Sequence, residues 1–368
     1  MRKKMLKNTE WGIAICTVIL LIIGLVALLS ATQNSDYEEL KKQIMWIVIS
    51  IPVMLAIIFI DYEILSKISP FIYGLTIVLL IAVLFTEPVN GATSWFSAGS
   101  FSFQPAEFAK IAVVIFLSTV IIKIQQKGKE EINKIFKLAI ILATVALPTI
   151  LIILQPDYGT AFAFFMALIF MLYIAGIEKK YIIVSFLIAI ILIPIAYFFI
   201  LPEHAKARID VYLNPNLDPR GDGYNIIQSK LAIGAGKLFG MGLFKGNQTQ
   251  LGYLYPKTTD FIFAVISEEM GFIIAGSVII LYVILITKAI KVAKTAKDDL
   301  GSYLASGIAG IFFFHMLENI GMTMGLLPIT GIPLPFVSYG GSSMLTNLIL
   351  IAILLNVSAR RKKAMFSE

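Results

Sequence analysis

WGIAICTVILLIIGLVALLSA, residues 11–31, carries no charged side chain, and a helix built from it would be apolar on every face. A soluble surface helix shows an apolar stripe opposite a polar one, whereas a helix apolar all round is buried or faces lipid. At 1.5 Å per residue this run is about 30 Å long, the thickness of the hydrocarbon core of a bilayer. Arg2, Lys3, Lys4 and Lys7 precede it and imitate a signal peptide. The run exceeds a usual signal h-region and its cleavage site is weak, so a retained first transmembrane helix is expected.

The pattern recurs along the chain. Ten apolar spans are expected, at roughly 11–31, 43–60, 69–86, 105–123, 137–154, 158–176, 181–201, 260–287, 302–326 and 341–357. Composition agrees: 58% of the 368 residues are hydrophobic and 14% charged, about half the charged share of a soluble domain. The expected fold class is therefore all-α, a polytopic membrane protein with about ten transmembrane helices forming one domain over 1–368. No internal repeat or soluble second domain is visible.

Charge sets the expected sidedness. With the N-terminus inside, every short loop rich in Lys and Arg falls on one face, which collects 20 of the 30 basic residues. Both termini are then cytoplasmic, and the net charge of +7 is explained by topology and anionic lipid, not by a nucleic-acid partner. A large extracellular loop, 202–258, separates the seventh and eighth spans and is too long for a plain connection. Within it NPNLDPRGDG (214–223) reads as turns, and YNIIQSKLAIGAGKL (224–238) as a short helix lying flat at the interface. Cys16 is the only cysteine and His204 and His315 the only histidines, which excludes an intrachain disulfide and argues against zinc.

Charged and polar groups inside spans are costly and mark candidate sites. FQPAEFAK (103–110) opens the fourth span, where Pro105 suits a first helical turn and Glu107 stands three residues before Lys110. Two readings are open there: a neutralised pair that eases insertion, or, with Gln104, the polar wall of a cavity. KTTDFIFAVISEEMGF (257–272) places Asp260 at the membrane edge, as an N-cap or as a reactive carboxylate. Glu268 and Glu269 follow ~12–14 Å deeper along a helix, with one available to cap a neighbouring broken helix. GLLPITGIPLPFVSYGGSS (325–343) is apolar yet holds Pro328, Pro333 and Pro335, so irregular backbone re-entering the interior around a cavity is expected. Tyr339, Gly340, Gly341, Ser342 and Ser343 then lead into the tenth span, as an anion-holding turn or as a tight turn with a serine cap. Asp157 reads as a cap of the sixth span, and His315, Glu318 and Asn319, on one face of the ninth, as a self-satisfied interhelical network.

Five segments in this order resemble the SEDS family of cell-wall polymerases and shape or division proteins: NGATSWFSAGSFSFQPAEFAK (90–110), QPDYGT (155–160), GDGYNIIQSKLAIGAGKLFGMGL (221–243), TDFIFAVISEEMGF (259–272) and LPITGIPLPFVSYGGSS (327–343). The wording NIGMTMGLLPITGIPLPF (319–336) and GNQTQ (246–250) is similar to the rod-shape branch. GATSW (91–95) departs from the basic GARRW-like wording of the family, removing the arginines but keeping Trp95. The resemblance implies a glycosyltransferase that polymerises lipid II, an undecaprenyl-diphosphate-linked disaccharide pentapeptide, at the outer face of the cytoplasmic membrane during cell elongation. It implies Asp260 as the residue most tied to activity, Glu107 and Lys110 as a second pair, and a class B penicillin-binding protein as partner.

Such a transfer needs a base, a cationic or dipolar cradle for the leaving diphosphate, and grooves for lipid. Asp260 suits the first task, Lys110 the second, with Lys257, Lys230 and Arg208 as helpers. The remaining expected substrate contacts are Trp95, Gln104, Glu107, Glu269, Ser338, Gly340, Gly341 and Ser342. A divalent cation (Mg2+ or Mn2+) on Asp260 is the one cofactor left open. A lipid II flippase and a noncatalytic scaffold are the competing classes. Strand synthesis by purified protein in detergent separates the first, and Asp260 variants that keep the partner but lose synthesis separate the second.

Overall fold

The computed structural model describes residues 8–88, 92–98, 101–200, 203–218 and 220–361. Arg2, Lys3, Lys4, Lys7, Asn90, Gly91, Gly99, Ser100, Leu201, Pro202 and Pro219 of the segments quoted above lie outside the described residues, as do Lys362 and Lys363, two of the 20 basic residues assigned to one face. The chain begins with α1 (Trp11–Ala31), α2 (Glu38–Phe59) and α3 (Tyr62–Ala82). A two-stranded antiparallel hairpin, β1 (Phe96–Ala98) with β2 (Phe101–Phe103), precedes α4 (Pro105–Gln125). Next come α5 (Ile135–Ile153), α6 (Tyr158–Ala175) and α7 (Lys179–Ile195), then the long loop with α8 (Glu203–Leu213), α9 (Asp222–Ala235) and the single turn α10 (Asn247–Gln250). Three long helices close the fold: α11 (Ile262–Thr295), α12 (Asp299–Thr323) and α13 (Gly341–Arg360).

Eight segments among the described residues are long and apolar enough to cross a membrane: α1, α2, α3 with its extension to Phe85, α5, α6, α11, α12 and α13. The other two expected spans are helical as well. One is α4, and the other is α7, 17 residues continued by the π-helical turn Ala196–Ile200. Local chemistry sets the helix ends. Pro105 occupies the first turn of α4, Asp157 caps α6 by accepting from Thr160 N–H at 3.0 Å, and Asp298 caps α12 by accepting from Gly301 N–H at 2.8 Å. Large apolar side chains such as Phe71, Phe85, Ile135 and Phe272 stand exposed on the outer helices, a surface suited to acyl chains and unsuited to water. α12 and α13 are buried along most of their length and form the centre of the bundle.

Three details depart from the sequence reading. The short β-hairpin was not expected in an all-α chain; Phe96 and Phe103 stack across it, and Phe103 packs on Phe108 of α4. The helix expected flat at the interface is α9, but its Ile226, Ser229 and Ala232 are buried against protein, and Ser229 donates to Thr323 O at 2.7 Å. The eighth span is not continuous.

At Gly271 (φ 79°, ψ 177°) α11 leaves helical geometry and resumes with Phe272. A break inside a bundle frees carbonyls before it and N–H groups after it, and each must find a partner away from water. The segment after α9 supplies them. Met241 N–H and Gly242 N–H donate to the carbonyls of Glu268 and Glu269 at 2.9 and 3.0 Å. The carbonyls of Lys237 and Leu238 accept from Phe272 N–H and Ile273 N–H at 2.8 and 3.2 Å. Such contact requires backbones without side chains between them: a Cβ on Gly271 would lie 2.3 Å from Gly240 N, and one on Gly240 would lie 2.2 Å from Glu269 O.

Alternating helix direction gives the bundle two ends of different character. One end gathers Asn8, Glu10, Asp61, Lys288, Asp298 and Arg361, joined by Lys288–Glu10 (2.8 Å), Arg361–Glu10 (3.1 Å) and Tyr62 Oη–Asp298 (2.6 Å) contacts. The other end gathers the C-terminus of α1, the N-terminal ends of α2, α4, α6, α11 and α13, and the long loop.

Gly271→Ala and Gly240→Ala are each expected to destabilise the protein by about 1–3 kcal/mol through overpacking, or more where the positive φ adds strain. Gly276→Ala, with nothing within 4 Å of its Cβ, is expected to stabilise by up to about 1 kcal/mol. Thermal unfolding in detergent compares the three; equal melting temperatures would exclude the backbone contact as a stability determinant.

Candidate active site

The end that gathers the helix N-termini holds a cavity of about 670 Å³. Its wall takes Glu39 from α2, Gln104 and Glu107 from α4, Asp157 and Thr160 from α6, and Gly340 and Ser343 from α13. Trp95 comes from the hairpin segment, Arg208 from α8, Lys257 and Asp260 from the run into α11, and Thr330 to Pro333 from the irregular segment after α12. Five of these contributions lie in or next to the first turn of a helix, so five positive dipole ends point toward one space.

Asp260 sits on the cavity wall, two residues before α11 begins. Its backbone carbonyl accepts from Asn319 Nδ2 at 3.0 Å, and Oδ2 lies 3.4 Å from where a Cβ on Gly331 would stand. Burial pushes the Asp260 carboxyl from the ordinary 3.8 up to about 6, against smaller lowering influences from the Thr259 side chain and the Arg208 charge. It does not act as a helix cap, since α11 has no side-chain cap. Lys257 on the same wall donates to Thr249 O at 2.9 Å; burial lowers its ammonium pKa, while Glu39 and Glu269 oppose that shift.

Glu107 and Lys110 pair at 2.8 Å and both are buried, at 2% and 0% exposure. Glu107 reaches the cavity wall, whereas Lys110 stands behind it, against His315 Nε2 at 3.2 Å. Gln104 Nε2 donates to Asp157 Oδ2 at 3.0 Å, which draws two cavity residues from different helices together. The irregular segment re-enters the interior as its prolines require, with Leu334, Phe336 and Val337 buried. Its carbonyls are satisfied by side chains: Gln43 Nε2 donates to Ser338 O (2.9 Å), Asn319 Nδ2 to Ile332 O (2.9 Å), and Tyr282 Oη to Pro335 O.

Of the sequence-selected residues, the structure brings Asp260, Glu107, Gln104, Trp95, Lys257, Gly340 and the helper Arg208 to one cavity. It places the others elsewhere. Glu269 is buried under the long loop, accepting from Gly246 N–H and Gln250 Nε2, and neighbouring Glu268 caps α10 through Gln248 N–H and Thr249 N–H. Lys230 is exposed and lies across Gly325. Ser338 is a structural hydroxyl that donates to Thr259 O and accepts from Leu334 N–H. Ser342 accepts from Gln104 N–H, and Gly341 lies against the Trp46 ring. His315, Glu318 and Asn319 are satisfied by bonds to other elements, as expected: all three reach the irregular segment, at Pro333 O, Thr330 and Ile332 O, while His315 also meets Lys110 of α4 and Asn319 also donates to Asp260 O. Ser343, of the turn expected to hold an anion, also reaches the cavity wall, whereas Glu39 was missed. Glu39 reads as an ordinary acidic first turn, and only the meeting of α2 with the α11 entry turns it inward.

No group of three or more His, Cys, Asp or Glu side chains placed to hold a metal ion occurs among the described residues. A divalent cation needs six or more oxygens, usually with one or two carboxylates plus substrate phosphates. The residues around Asp260 do not make a protein-held cage of that kind.

A cavity lined by converging helix N-termini, with Asp157 and Asp260 carboxyls both raised by burial and the cations Arg208 and Lys257 on its wall, opens at one end of a bundle of membrane-length helices, the architecture of a membrane protein with a polar site. The cell cycle protein family that unites FtsW, RodA and SpoVE matches residues 10–363. The chain belongs to this family. It is 37% identical over 356 residues to stage V sporulation protein E of Bacillus subtilis, covering 94% of this chain and 96% of that one. It is 33% identical over 352 residues to the peptidoglycan glycosyltransferase MrdB of Escherichia coli, covering 94% of both. Its fold matches a chain of a peptidoglycan synthase complex in which polymerization and crosslinking are coordinated, with a TM-score of 0.83, 25% identity, and coverage of 96% and 99%.

Because the folded state holds Asp260 at a pKa of about 6 against 3.8, its ionisation opposes folding. Asp260→Asn is therefore expected to melt higher than wild type above pH 6, with the gap shrinking as pH falls from about 6 to about 4. Melting curves across that range test this, and a pH-independent difference would remove the buried carboxylate as its cause.

Proposed function

We propose that this protein is a peptidoglycan glycosyltransferase that polymerises lipid II, with Asp260 as the general base. The cavity faces the outer side of the cytoplasmic membrane, and both termini lie in the cytoplasm. The basic loops at the far end of the bundle support that orientation. The work belongs to cell elongation and rod shape, in keeping with the rod-shape wording of residues 319–336.

An acceptor sugar hydroxyl attacks the anomeric carbon of the donor. The new C–O bond forms as the bond from that carbon to the diphosphate oxygen breaks. The hydroxyl proton passes to an Asp260 carboxylate oxygen, and the diphosphate leaves with the bonding pair. A carboxylate with a pKa of about 6 is ionised at neutral pH and is a stronger proton acceptor than one at 3.8, and such a base contributes ~10²–10⁴-fold. Arg208, Lys257 and the converging helix N-termini stabilise the departing negative charge. Glu107, held by Lys110, and Gln104, tied to Asp157, give the sugars fixed polar contacts. Trp95 offers an apolar face to a sugar ring.

The observation that carries this reading is Asp260, desolvated yet on the wall of a cavity with two cations. Against a flippase stands the plug behind that wall: Leu334 to Ser338 are buried, and Gly24 of α1 lies against the Val337 backbone. A class B penicillin-binding protein is the proposed partner, supported by the similar chain's place in a complex that couples polymerization to crosslinking.

Purified Asp260→Asn protein is expected to stay folded and make no glycan strands from lipid II. Wild-type polymerisation is expected to fall as pH drops below about 6, because the base becomes protonated. Lys110→Ala and Glu107→Ala are each expected to slow turnover, since each leaves a buried partner unpaired. Full activity of Asp260→Asn would remove that carboxylate from the chemistry.

A further inference from the structure

His315 and Asn319 lie one turn apart on α12, the helix that runs through the centre of the bundle, and both are fully buried. Neither lines the cavity, and neither takes part in the mechanism above. What each touches is specific. The His315 ring lies between two groups, Lys110 Nζ at 3.2 Å from Nε2 and Pro333 O at 3.1 Å from Nδ1. A carbonyl oxygen only accepts and an ammonium only donates, so Nδ1 carries the ring hydrogen and Nε2 accepts from Lys110. Pro333 thereby selects the single tautomer that can hold the lysine. Lys110 then has two partners, His315 on one side and Glu107 on the other, and of the three only Glu107 meets the cavity.

Asn319 does the corresponding work on the other half of the site. Its amide nitrogen donates both hydrogens, to Asp260 O at 3.0 Å and to Ile332 O at 2.9 Å, which fixes the side chain against rotation. The same stretch of loop is held at a third point by Glu318, whose Oε1 accepts from Thr330 Oγ1 at 2.9 Å. One face of one helix therefore ties down residues 330, 332 and 333, the backbone of Asp260 and the lysine behind Glu107. The two carboxylates of the site come from helices far apart in sequence, and α12 is the rigid piece in contact with the supports of both.

We propose that His315 and Asn319 are positioning residues for the transfer. His315 holds Lys110 so that Glu107 faces the cavity, and Asn319 holds the Asp260 backbone, so that α12 sets the distance between Glu107 and Asp260. The inference rests on the glycosyltransferase reading. Misplacing a reacting group by about 1 Å costs ~10²-fold in rate without requiring weaker substrate binding. Loss of position should therefore appear in kcat and spare KM.

The test is a double-mutant cycle in lipid II polymerisation by purified full-length protein, on wild type, His315→Leu, Lys110→Ala and the double variant, with Asn319→Leu alongside. His315→Leu and Asn319→Leu are expected to lower kcat about 10- to 100-fold with KM within about threefold. In the Lys110→Ala background His315→Leu is expected to cost less than about threefold more, because the group it positions is already gone. His315→Gln, which keeps a donor and an acceptor, is expected to recover part of the rate. If His315→Leu does not elute as a folded monodisperse species, the same cycle is run with His315→Gln, which must then be non-additive with Lys110→Ala. Multiplying losses in kcat, a raised KM with unchanged kcat, or wild-type rates in both leucine variants overturns the positioning role while leaving the polymerase reading intact. A wild-type protein that makes no strands overturns both.

Discussion

Backbone N–H and C=O groups removed from water must be paired within the protein, and the functional end of this molecule is organised by the two places where helices cannot do that pairing. At Gly271 the break in α11 is closed by strand-like bonds to residues 237–242. Between α12 and α13 the proline-interrupted segment is closed by side chains, those of Gln43, Tyr282, His315 and Asn319. An orphaned buried group costs about 1–3 kcal/mol. Each closure therefore fixes its segment in one conformation. The first pins the long loop, with Lys257, onto the bundle; the second forms the cavity wall beside Asp260.

Electrostatics follow from that scaffold. Alternating helices bring five N-terminal ends to one mouth, where dipoles favour negative charge. The chain places Glu39, Glu107, Asp157 and Asp260 among them, yet treats each differently. Glu107 is neutralised by Lys110, and Asp157 is occupied by Thr160 and Gln104. Burial raises the carboxyls of both Asp157 and Asp260, Asp260 to about 6 with the Arg208 charge opposing the shift. A carboxyl that burial brings toward neutral pH is suited to accept a proton there.

Much of this was legible in the residues. Apolar runs near the bilayer thickness gave the helices, because lipid leaves a backbone few other choices. Pro328, Pro333 and Pro335 announced the irregular segment, and spacing alone paired Glu107 with Lys110. The β-hairpin was not legible, because FSAGSFSF is short and its stability comes from packing Phe103 on α4. Nor was the fate of Glu269, Lys230, Ser338, Gly341 and Ser342. Their types suit a ligand site, but whether a polar side chain meets a cavity or a backbone group depends on what the fold brings beside it.

Sequence by itself determined that the chain is a helical membrane protein, which face holds its basic loops, and which polar groups are too costly to be idle in lipid. Those properties are local sums of transfer free energy and helix geometry, readable without knowing any neighbour. Tertiary structure alone decided that Asp260 is desolvated on a cavity wall, that Lys110 pairs with Glu107 behind that wall, and that His315 and Asn319 bond Lys110 and the Asp260 backbone. Burial and pairing are properties of contacts between residues as far apart as 110 and 315, and no local pattern encodes them.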